Sequence, residues 1–594
     1  MPFDGFVTRA IVKTLNNQLK EARINNIYQH NKHEISVLLR NHKKNLILFM
    51  STNPRFCRVN LTTKKYDNPD HPPSFCMLLR KYLKGGVIKE VKQYEGDRII
   101  DFDIVHRDEF GLEKELFLTV EIMGKHSNII LVDKKNGRIL DGIKRIEREF
   151  SNKREIMPGI LFERPPAQTK HNPWKEGAVN LKSEKIADKE AEKVVLENYQ
   201  GVSPLLAREI AYRAQLLNIN FNEISEGNLE RYIEELKQQL DNIKDNIYTG
   251  NYEPVMIKDI EKNTYSDFYF IPLKHLNSGN VNNNSSFENV SANLDLMETM
   301  DEFYRLKETE LQKFNLKTEL SKKITQLLKK TRKKLKRQQK EFNESENAEN
   351  YKIYGELLTA NLYIFEGKKP TNTQIEVVNY YKEPQENIKI KLDKSLSPSE
   401  NAQRYFKKYQ KAKARNKRLR KEINNTEAEL EYLESISYQL ENAPTLEDLE
   451  GIKDELIKVG YLEKAKTTTR KKKSVQGSKP LKFVSRDGFD ILVGKNNKQN
   501  DQLTTKEAAP ENIWLHTKEI AGSHVIIKGK DIPLSTIEEA AQIAAYYSKG
   551  RNSSNVPVDY TKIKHVRKPK GAKPGMVIYD NHNTLFVTPV KPSD

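Results

Sequence analysis

Apolar residues return along one face from Val7 through Ile11 and Leu15 to Leu19, behind an Asp4 suited to cap a first turn, and this spacing predicts an amphipathic helix over 4–19. The period then drops to two. Short β-branched alternations at 34–40, 45–50 and 98–105 predict strands, and one helix is predicted among them near 73–83. Asn136-Gly137, between 128–132 and 138–143, predicts a hairpin through a type I′ turn, which needs positive φ at both central residues. Residues 1–170 therefore read as one mostly antiparallel α+β domain.

A Pro-rich piece near 158–173 closes that domain, and helical spacing follows at 185–199 and 205–217 around Gly201-Val202-Ser203-Pro204. Two helices joined by a tight glycine turn predict a helix-hairpin-helix within 171–250. Its second helix would offer free N–H groups to a phosphate, and an ordinary hairpin packing on its neighbour fits the same residues. Residues 251–291 read as a connecting segment ending in the Asn/Ser-rich run 276–291. Leu328, Leu335 and Phe342 then recur every seven residues beside Leu320, Ile324, Leu327 and Thr331, predicting an ascending coiled-coil helix over 292–345. Ala402, Tyr405, Tyr409, Ala412, Leu419, Ile423, Leu430, Leu433 and Leu440 predict a returning helix over 397–450. At the tip, 346–396 reads as a small middle domain with an apolar cluster at 351–365 and a strand at 373–381. The basic, low-complexity run 464–480 makes 451–479 a flexible linker. Residues 480–594 read as a second α+β domain, with a strand pair over 483–493 turning at Asp487-Gly488, an Ala-rich helix over 535–548, and a hairpin of 577–580 with 584–587.

Charge changes the picture most along the arm. The chain carries 101 Lys and Arg against 82 Asp and Glu, a net +19. Residues 321–340 hold ten Lys or Arg and no acid, and 401–421 hold ten more and no acid, so these two belts account for the whole excess. In an antiparallel hairpin with its tip near 345–397, residue 340 would lie close to 402 and 322 close to 420, and the belts would be neighbours. Like charges held together oppose compactness, so a polyanion is the natural partner and nucleic acid the first candidate. A merely solvated helix face carries mixed sign. The candidate phosphate contacts are Lys329, Lys330, Arg332, Lys333, Lys334, Lys336 and Arg337 on the first leg, and Lys411, Lys413, Arg415, Lys417 and Arg418 on the second.

Other classes lose ground on composition. No apolar run approaches the ~20 residues of a membrane helix, and the N-terminus has no apolar signal core, so a cytoplasmic protein without a membrane partner is expected. Cys57 and Cys76 are the only cysteines, too few for a disulfide framework. There is no Walker loop, HExxH, CxxC pair or GxSxG elbow. His30 and His33 lack a third ligand, and Asp487, His516 and Ser523 show no sign of meeting. No catalytic residue, metal or cofactor is assigned.

Recognition chemistry is better represented. Asp97-Arg98 follows Gly96 at a turn into a strand, where Arg would donate to a phosphate or base edge and Asp accept a base amino group; a local salt bridge fits as well. Glu121, Ile122 and Met123 sit where one strand ends and another begins, offering mixed contacts or a β-bulge. In the last domain the amides Asn496, Asn497 and Asn500, with Trp514, His516 and His524, supply donors and stacking surfaces of the kind used on unpaired RNA, beside a basic tract at 562–573.

Longer stretches carry a resemblance: Asp4-Gly5 at the first helix, PPSFCMLLRKYLKGG at 72–86, EGDR at 95–98, EIMGKHSNIILVD at 121–133, GVSPLLAREI at 201–210, YGELLTANLY at 354–363, VGKNNKQNDQLT at 493–504, IWLHTKEIAGSHVII at 513–527 and VRKPKGAKPGMVIY at 566–579. Together they resemble the NFACT family, also labelled fibronectin-binding protein A-like, with Ala521 where most members carry Pro. The resemblance implies a multidomain α+β fold: an N-terminal NFACT-N-like domain related to formamidopyrimidine-type DNA glycosylases, a helix-hairpin-helix, a long antiparallel coiled coil with a small middle domain, and a C-terminal NFACT-R-like RNA-binding domain. Lacking a long acidic insert and stopping after the last domain, the chain resembles the bacterial, RqcH-like branch. That branch implies ribosome-associated quality control, in which obstructed large ribosomal subunits holding peptidyl-tRNA are bound and alanyl-tRNA is recruited, so that C-terminal tails grow without mRNA and mark the stalled chain for degradation. It implies tRNA-binding roles for Asp97, Arg98, Glu121, Ile122 and Met123, ribosomal RNA on the two belts, RNA contacts at the six C-terminal residues above, no cofactor, and a small RNA-binding helper protein as a further candidate partner. Two competing readings are a fibronectin-binding surface adhesin, which would need export, and a glycosylase-like enzyme, for which Phe3 stands where the catalytic Glu would be.

Overall fold

Asp4 caps the first helix, α1 (Gly5–Leu19), through a carboxylate oxygen that accepts Val7 N–H at 2.7 Å, and Val7, Ile11, Leu15 and Leu19 are fully buried beneath it. This computed structural model describes residues 3–42, 44–107, 111–148, 154–166, 169–175, 189–221, 226–277, 286–291, 293–345, 348–366, 368–463 and 479–592. The chain divides into two units, Met1–Glu308 and Thr309–Asp594.

In the first unit α1 is followed by β1 (Arg23–Asn31), β2 (Glu34–Asn41), β3 (Lys44–Ser51), β4 (Arg58–Leu61), α2 (Ser74–Leu83), β5 (Val87–Gln93), β6 (Ile99–Arg107), β7 (Glu113–Glu121), β8 (Asn128–Asp133) and β9 (Ile139–Gly142). The strands form one antiparallel sheet in the order β4-β3-β2-β1-β5-β6-β7-β8-β9. The β8–β9 connection departs from the expected type I′ turn. Gly137 has φ +66 but Asn136 does not share a positive φ, and the loop closes as Gly137 N–H donates to Asp133 O at 2.9 Å. Asp133 Oδ1 also accepts Lys135 N–H at 2.9 Å, which draws the chain into a longer turn before β9.

Next come α3 (Ala191–Asn198), α4 (Pro204–Arg213) and α5 (Glu226–Thr249), with the Gly201-Val202-Ser203 turn between the first two. The segment read as a connector is folded instead. β10 (Val255–Asp259), β11 (Thr264–Tyr269), the short α6 (Lys274–Asn277) and β12 (Phe287–Ser291) give an antiparallel sheet in the order β11-β10-β12. Its physical reason is the apolar run Phe268, Tyr269, Phe270 and Ile271, all buried in the same core as Phe3 and Phe6. The Asn/Ser run at 278–285 lies outside the described residues.

Helix α7 (Leu296–Ser345) starts on this core, and the boundary between the units falls within it. Its first turns are held by charge. Arg58 is 1% exposed, lies 4.5 Å from the ring centroids of both Phe49 and Tyr304, and pairs with Glu308 at 2.7 Å. Lys64 reaches the other oxygen of Glu308 at 2.8 Å, while Asp301 accepts from Asn60 and Thr62.

In the second unit α7 is followed by α8 (Ala348–Ala360), the hairpin of β13 (Gln374–Asn379) and β14 (Glu386–Lys391), α9 (Pro398–Asn442), α10 (Leu446–Val459), β15 (Leu481–Val484), β16 (Asp490–Val493), α11 (Asn497–Gln502), β17 (Ile513–Thr517), β18 (Val525–Lys528), α12 (Leu534–Tyr546), β19 (Val556–Lys562), β20 (Val566–Arg567), β21 (Ile578–Tyr579) and β22 (Asn583–Val587). At 1.5 Å per residue the 50-residue α7 is about 75 Å long.

The two legs of the arm are antiparallel, but their register is not the expected one. Arg332 pairs with Glu434, Gln338 donates to Glu422, and Arg415 pairs with Glu341, so residue 340 lies opposite about 420 and not 402. The cause is α8, which takes the place of α7 against the start of α9. Gly355 lies against Phe406, where an added Cβ would come within 3.0 Å of the ring, and Tyr354 packs edge-on to Tyr405 at 5.5 Å. The first basic belt therefore faces the non-basic stretch 422–442 of α9, most of the second faces α8, and the two belts meet only at their ends near 340 and 420.

The linker expected over 451–479 begins as helix. Thr445 caps α10, and Leu449, Ile452 and Leu456 repack onto Leu320, Ile324, Tyr432 and Leu433 at the base of the coiled coil. Residues 464–478 lie outside the described residues. In the last domain the sheet order is β15-β16-β18-β17-β19-β22, covered by α12, whose Ala540, Ala541 and Ala544 allow close approach. Residues 577–587 do not form the expected hairpin: β21 pairs with β20 and β22 with β19. Thr561 Oγ1 donates to the carbonyls of Asp580 and Asn581, and this draws the two strands to different partners.

Replacing Glu308 with Ala strips a buried guanidinium of its main partner, and the expected cost is about 3 kcal/mol. Chemical unfolding should show a lower midpoint for E308A, and the paired change Arg58→Met with Glu308→Leu should recover most of the loss.

Candidate nucleic-acid interface

Three glycines cross at one point of the first unit. A Cβ on Gly5 would stand 2.4 Å from Gly96 O and 2.6 Å from Gly201 Cα, so the start of α1, the turn before β6 and the α3–α4 turn meet backbone to backbone. Gly5 N–H donates to Gly201 O at 2.7 Å, and Gly96 and Gly201 both have positive φ, +74 and +76. Asp4 locks the crossing from the side. One carboxylate oxygen caps α1, and the other accepts Ser203 Oγ–H at 2.7 Å and Tyr269 O–H at 3.0 Å. Ser203 is itself the cap of α4. Burial pushes the Asp4 carboxyl up, opposed by the hydrogen bonds it receives.

The crossing leaves a cavity of about 580 Å³ lined by Asp97 and Arg98 on one side and by Ser203, Arg208, Asp267 and Tyr269 on the other. Asp97 is buried with 8% exposure, and its Oδ1 accepts Arg98 N–H at 2.7 Å. Gln93 Nε2 ties the turn to α1 by donating to both Gly5 O and Asp97 O at 2.8 Å. Trp174 closes the far side of Gly96 and packs on Phe6 at 4.9 Å between ring centroids. Arg208 is exposed and makes no ion pair or hydrogen bond among the described residues. Burial raises the Asp267 carboxyl to about 7. Carboxyl groups able to accept base amino groups therefore line the same cavity as guanidinium groups able to donate to phosphates or base edges, while at the start of α4 Leu206 and Ala207 N–H are already taken by Ser203.

Of the five residues assigned to tRNA, Asp97 and Arg98 line this cavity, and Glu121, Ile122 and Met123 do not. Glu121 has no exposure and is clamped by Arg154, with one contact at 2.8 Å. Ile122 is equally buried, and its N–H donates to Arg98 O at 2.9 Å. Met123 N–H is held by Ser127 Oγ at 2.9 Å. This stretch thus fixes the turn residue Arg98 where it enters β6. Arg208 and Asp267 escaped the sequence reading; the signal for Arg208 was its position in the GVSPLLAREI stretch one turn past the Ser203-Pro204 cap.

Along the arm, Lys329, Lys330, Arg332, Lys333, Lys334, Lys336, Arg337, Lys411, Lys413, Arg415, Lys417 and Arg418 are all exposed. Four of them meet acids: Arg332, Arg337, Arg415 and Arg418 pair with Glu434, Glu341, Glu341 and Glu422. None of the lysines forms an ion pair among the described residues.

The C-terminal six are placed otherwise. Asn496, Asn497, Asn500, Trp514 and His524 are buried, and His516 is half-buried. Asn496 caps α11 by accepting Gln499 N–H. Asn497 joins the domain to the arm: its N–H donates to Gln439 Oε1 at 3.2 Å, its Oδ1 accepts from Gln439 Nε2 at 2.6 Å, and its Nδ2 reaches Ser435 and Glu455. Asn500 Oδ1 accepts His524 N–H at 3.2 Å. Trp514 lies between His516 and Tyr579, with centroids at 5.9 and 4.8 Å. Burial lowers His516 to about 4 and takes His524 well below its usual range, so both are neutral. Among the described residues no group of three His, Cys, Asp or Glu is placed to hold a metal, and no helix is long and apolar enough to cross a membrane.

Residues 4–475 match the family model for NFACT N-terminal and middle domains, and residues 479–581 match that for the NFACT protein RNA binding domain. The chain is 39% identical over 590 residues to the Rqc2 homolog RqcH of Bacillus subtilis (strain 168), covering 99% of this chain and 98% of that relative. It is 35% identical over 595 residues to the Rqc2 homolog RqcH of Streptococcus pneumoniae serotype 2, covering 99% and 98%. A solved structure, the C-terminal part of the fibronectin/fibrinogen-binding protein from Streptococcus suis, is 37% identical, covers 47% of this chain and 96% of that one, and superposes with a TM-score of 0.37.

The joint between the arm and the last domain carries a pH signature. Glu455 accepts Tyr432 O–H at 2.7 Å, and burial raises its carboxyl to about 6 from 4.5. An acid with a raised folded pKa takes up a proton on folding, so stability is full below about 4.5 and declines as pH rises through about 6. Glu455→Gln keeps the accepting oxygen and removes the charge. It should flatten thermal stability between those pH values and raise it at pH 7 by about 1–2 kcal/mol, at about 1.4 kcal/mol per pKa unit.

Proposed function

The chain belongs to the NFACT family, and from that premise we propose that it is a ribosome-associated quality-control factor that recruits tRNA, as in bacterial RqcH. The observation that carries this is identity of 39% to an RqcH across nearly the full length of both chains. In the finer reading, the chain binds obstructed large ribosomal subunits that still hold peptidyl-tRNA and brings alanyl-tRNA to them. C-terminal tails then grow without mRNA and mark the stalled chain for degradation, with peptide-bond formation left to the ribosome. A small RNA-binding helper protein would assist.

The geometry supports the following residue roles. Asp97 and Arg98 contact the recruited tRNA from the cavity, with Arg208 opposite them. Glu121, Ile122 and Met123 act through them by fixing Arg98 at the entry to β6. The N-terminal sheet is read as a glycosylase-like scaffold turned to RNA, and α3–α4 as its helix-hairpin-helix. The exposed arm lysines hold ribosomal RNA phosphates, a contact whose affinity falls steeply with salt. In the last domain, the buried amides and rings shape the RNA-binding surface from beneath.

Ala substitution of both Asp97 and Arg98 should abolish tailing of stalled chains in a reconstituted translation system while binding to large subunits persists. Unchanged tailing removes their tRNA role. Glu at Lys329, Lys330, Lys333, Lys334 and Lys336 should lower co-sedimentation with large subunits by tenfold or more, on the order expected for five phosphate contacts; an unaltered gradient profile removes the arm's role.

A further inference from the structure

We propose that the first unit carries a second RNA site, apart from the Asp97 cavity, in which Arg23, Arg40, His42 and Lys84 hold phosphodiesters of the sugar-phosphate backbone. The inference rests on the RNA-binding reading above. Strands β1 and β2 pair in a register that sets Arg23 directly opposite Arg40. Opposed side chains of an antiparallel pair share one face with Cβ atoms about 5 Å apart, and like charges there are destabilising. No Asp or Glu is among the described residues that line the concavity they share. Among the described residues the Arg23 side chain makes no hydrogen bond or ion pair, and the Arg40 side chain donates only to Asn45 Oδ1 at 3.3 Å.

Lys84, where α2 ends, and His42, beyond β2, complete a concavity of about 600 Å³. All four basic side chains are exposed, and no acid lines the space. Its floor is backbone. Gly85 has φ +89, its N–H is spent on Ile24 O at 2.8 Å, and a Cβ there would stand 4.0 Å from Arg23 Nη2. A side chain at that position would fill the space beside the guanidinium, and glycine leaves it open to an approaching phosphate.

Three fixed cations and a histidine around an open glycine floor can hold RNA phosphates and carry no base readout. Such a site adds affinity and orientation to whatever the Asp97 cavity selects. The rim has none of the exposed large apolar side chains that would enter a lipid surface, which favours RNA over a membrane.

The test uses the full chain with Arg23→Gln and Arg40→Gln together. Both residues are exposed, and a thermal midpoint no lower than the parent's verifies folding. Binding to deacylated tRNA by fluorescence anisotropy, and to purified large subunits by sedimentation, is followed between about 50 and 200 mM salt. The expected result is a slope of log affinity against log salt that is shallower by about one to two for one of these RNAs, because each lost phosphate contact removes about 0.7–0.9. The RNA affected identifies the source of the phosphates. Lys89→Gln is the control, since Lys89 is already paired with Glu21 at 3.1 Å, and it should match the parent. Parental slopes for both RNAs in the double variant overturn the site, as does an equal loss in Lys89→Gln. A loss confined to binding of phosphatidylserine vesicles also overturns it. Failure of the underlying reading is distinguishable, because the parent chain itself would then bind neither RNA.

Discussion

Backbone meets backbone where Gly5, Gly96 and Gly201 cross, and the rest of the first unit is arranged so that this contact can exist. Any side chain at the crossing would drive the start of α1 away from the α3–α4 turn. Hydrogen bonds hold the close packing in place. Asp4 serves as cap, as acceptor for the next cap Ser203, and as acceptor for Tyr269, so one buried carboxylate ties α1, α4 and β11 together. Gln93 does the same for the Asp97 turn. The result is a cavity whose polar groups are held before any ligand arrives, and a preorganised site spends less binding free energy on ordering itself.

The arm follows a different logic. Two all-basic segments set face to face would repel, and the staggered register avoids this by placing each opposite a leg that carries Glu434, Glu422 or Glu341. A few guanidinium groups are paired across the hairpin, and the lysines remain for a partner. Surface pairs of this kind contribute little stability, so their use is in register and in keeping the belts apart. Packing at the two ends fixes the arm. Tyr432, Leu433 and Ile436 meet α10 at its base, and Leu357, Leu358 and Tyr405 form the core at its tip.

Local chemistry was legible in the sequence, and long-range pairing was not. The Asp4 cap, the helix at 73–83 and the arm's seven-residue spacing rest on interactions within a few residues, and each appears where expected. The arm's register did not, because a heptad seam says that two helices pair without saying which heptads meet, and α8 shifted the answer. Burial was equally hidden. Asn497 and Trp514 have the chemistry of RNA contacts, yet Asn497 is spent on Gln439 and Trp514 is 1% exposed. Residues 251–291 looked like a connector because Asn and Ser dominate their end, while the Phe268 to Ile271 run that forces them into the core is short. Asp97 and Arg98 were legible as a polar pair at a turn, but Arg208 and Asp267 come from remote parts of the chain and only the crossing brings them into the same cavity.

The central claim is that the glycine crossing builds the surface that receives tRNA. Cryo-electron microscopy of this chain on a large subunit carrying peptidyl-tRNA, with a recruited tRNA present, tests it most directly. The account predicts nucleotides of the recruited tRNA inside the cavity, with polar atoms within about 3.5 Å of Asp97, Arg98 and Arg208. A tRNA held elsewhere on the first unit, with solvent between it and all three side chains, would contradict it.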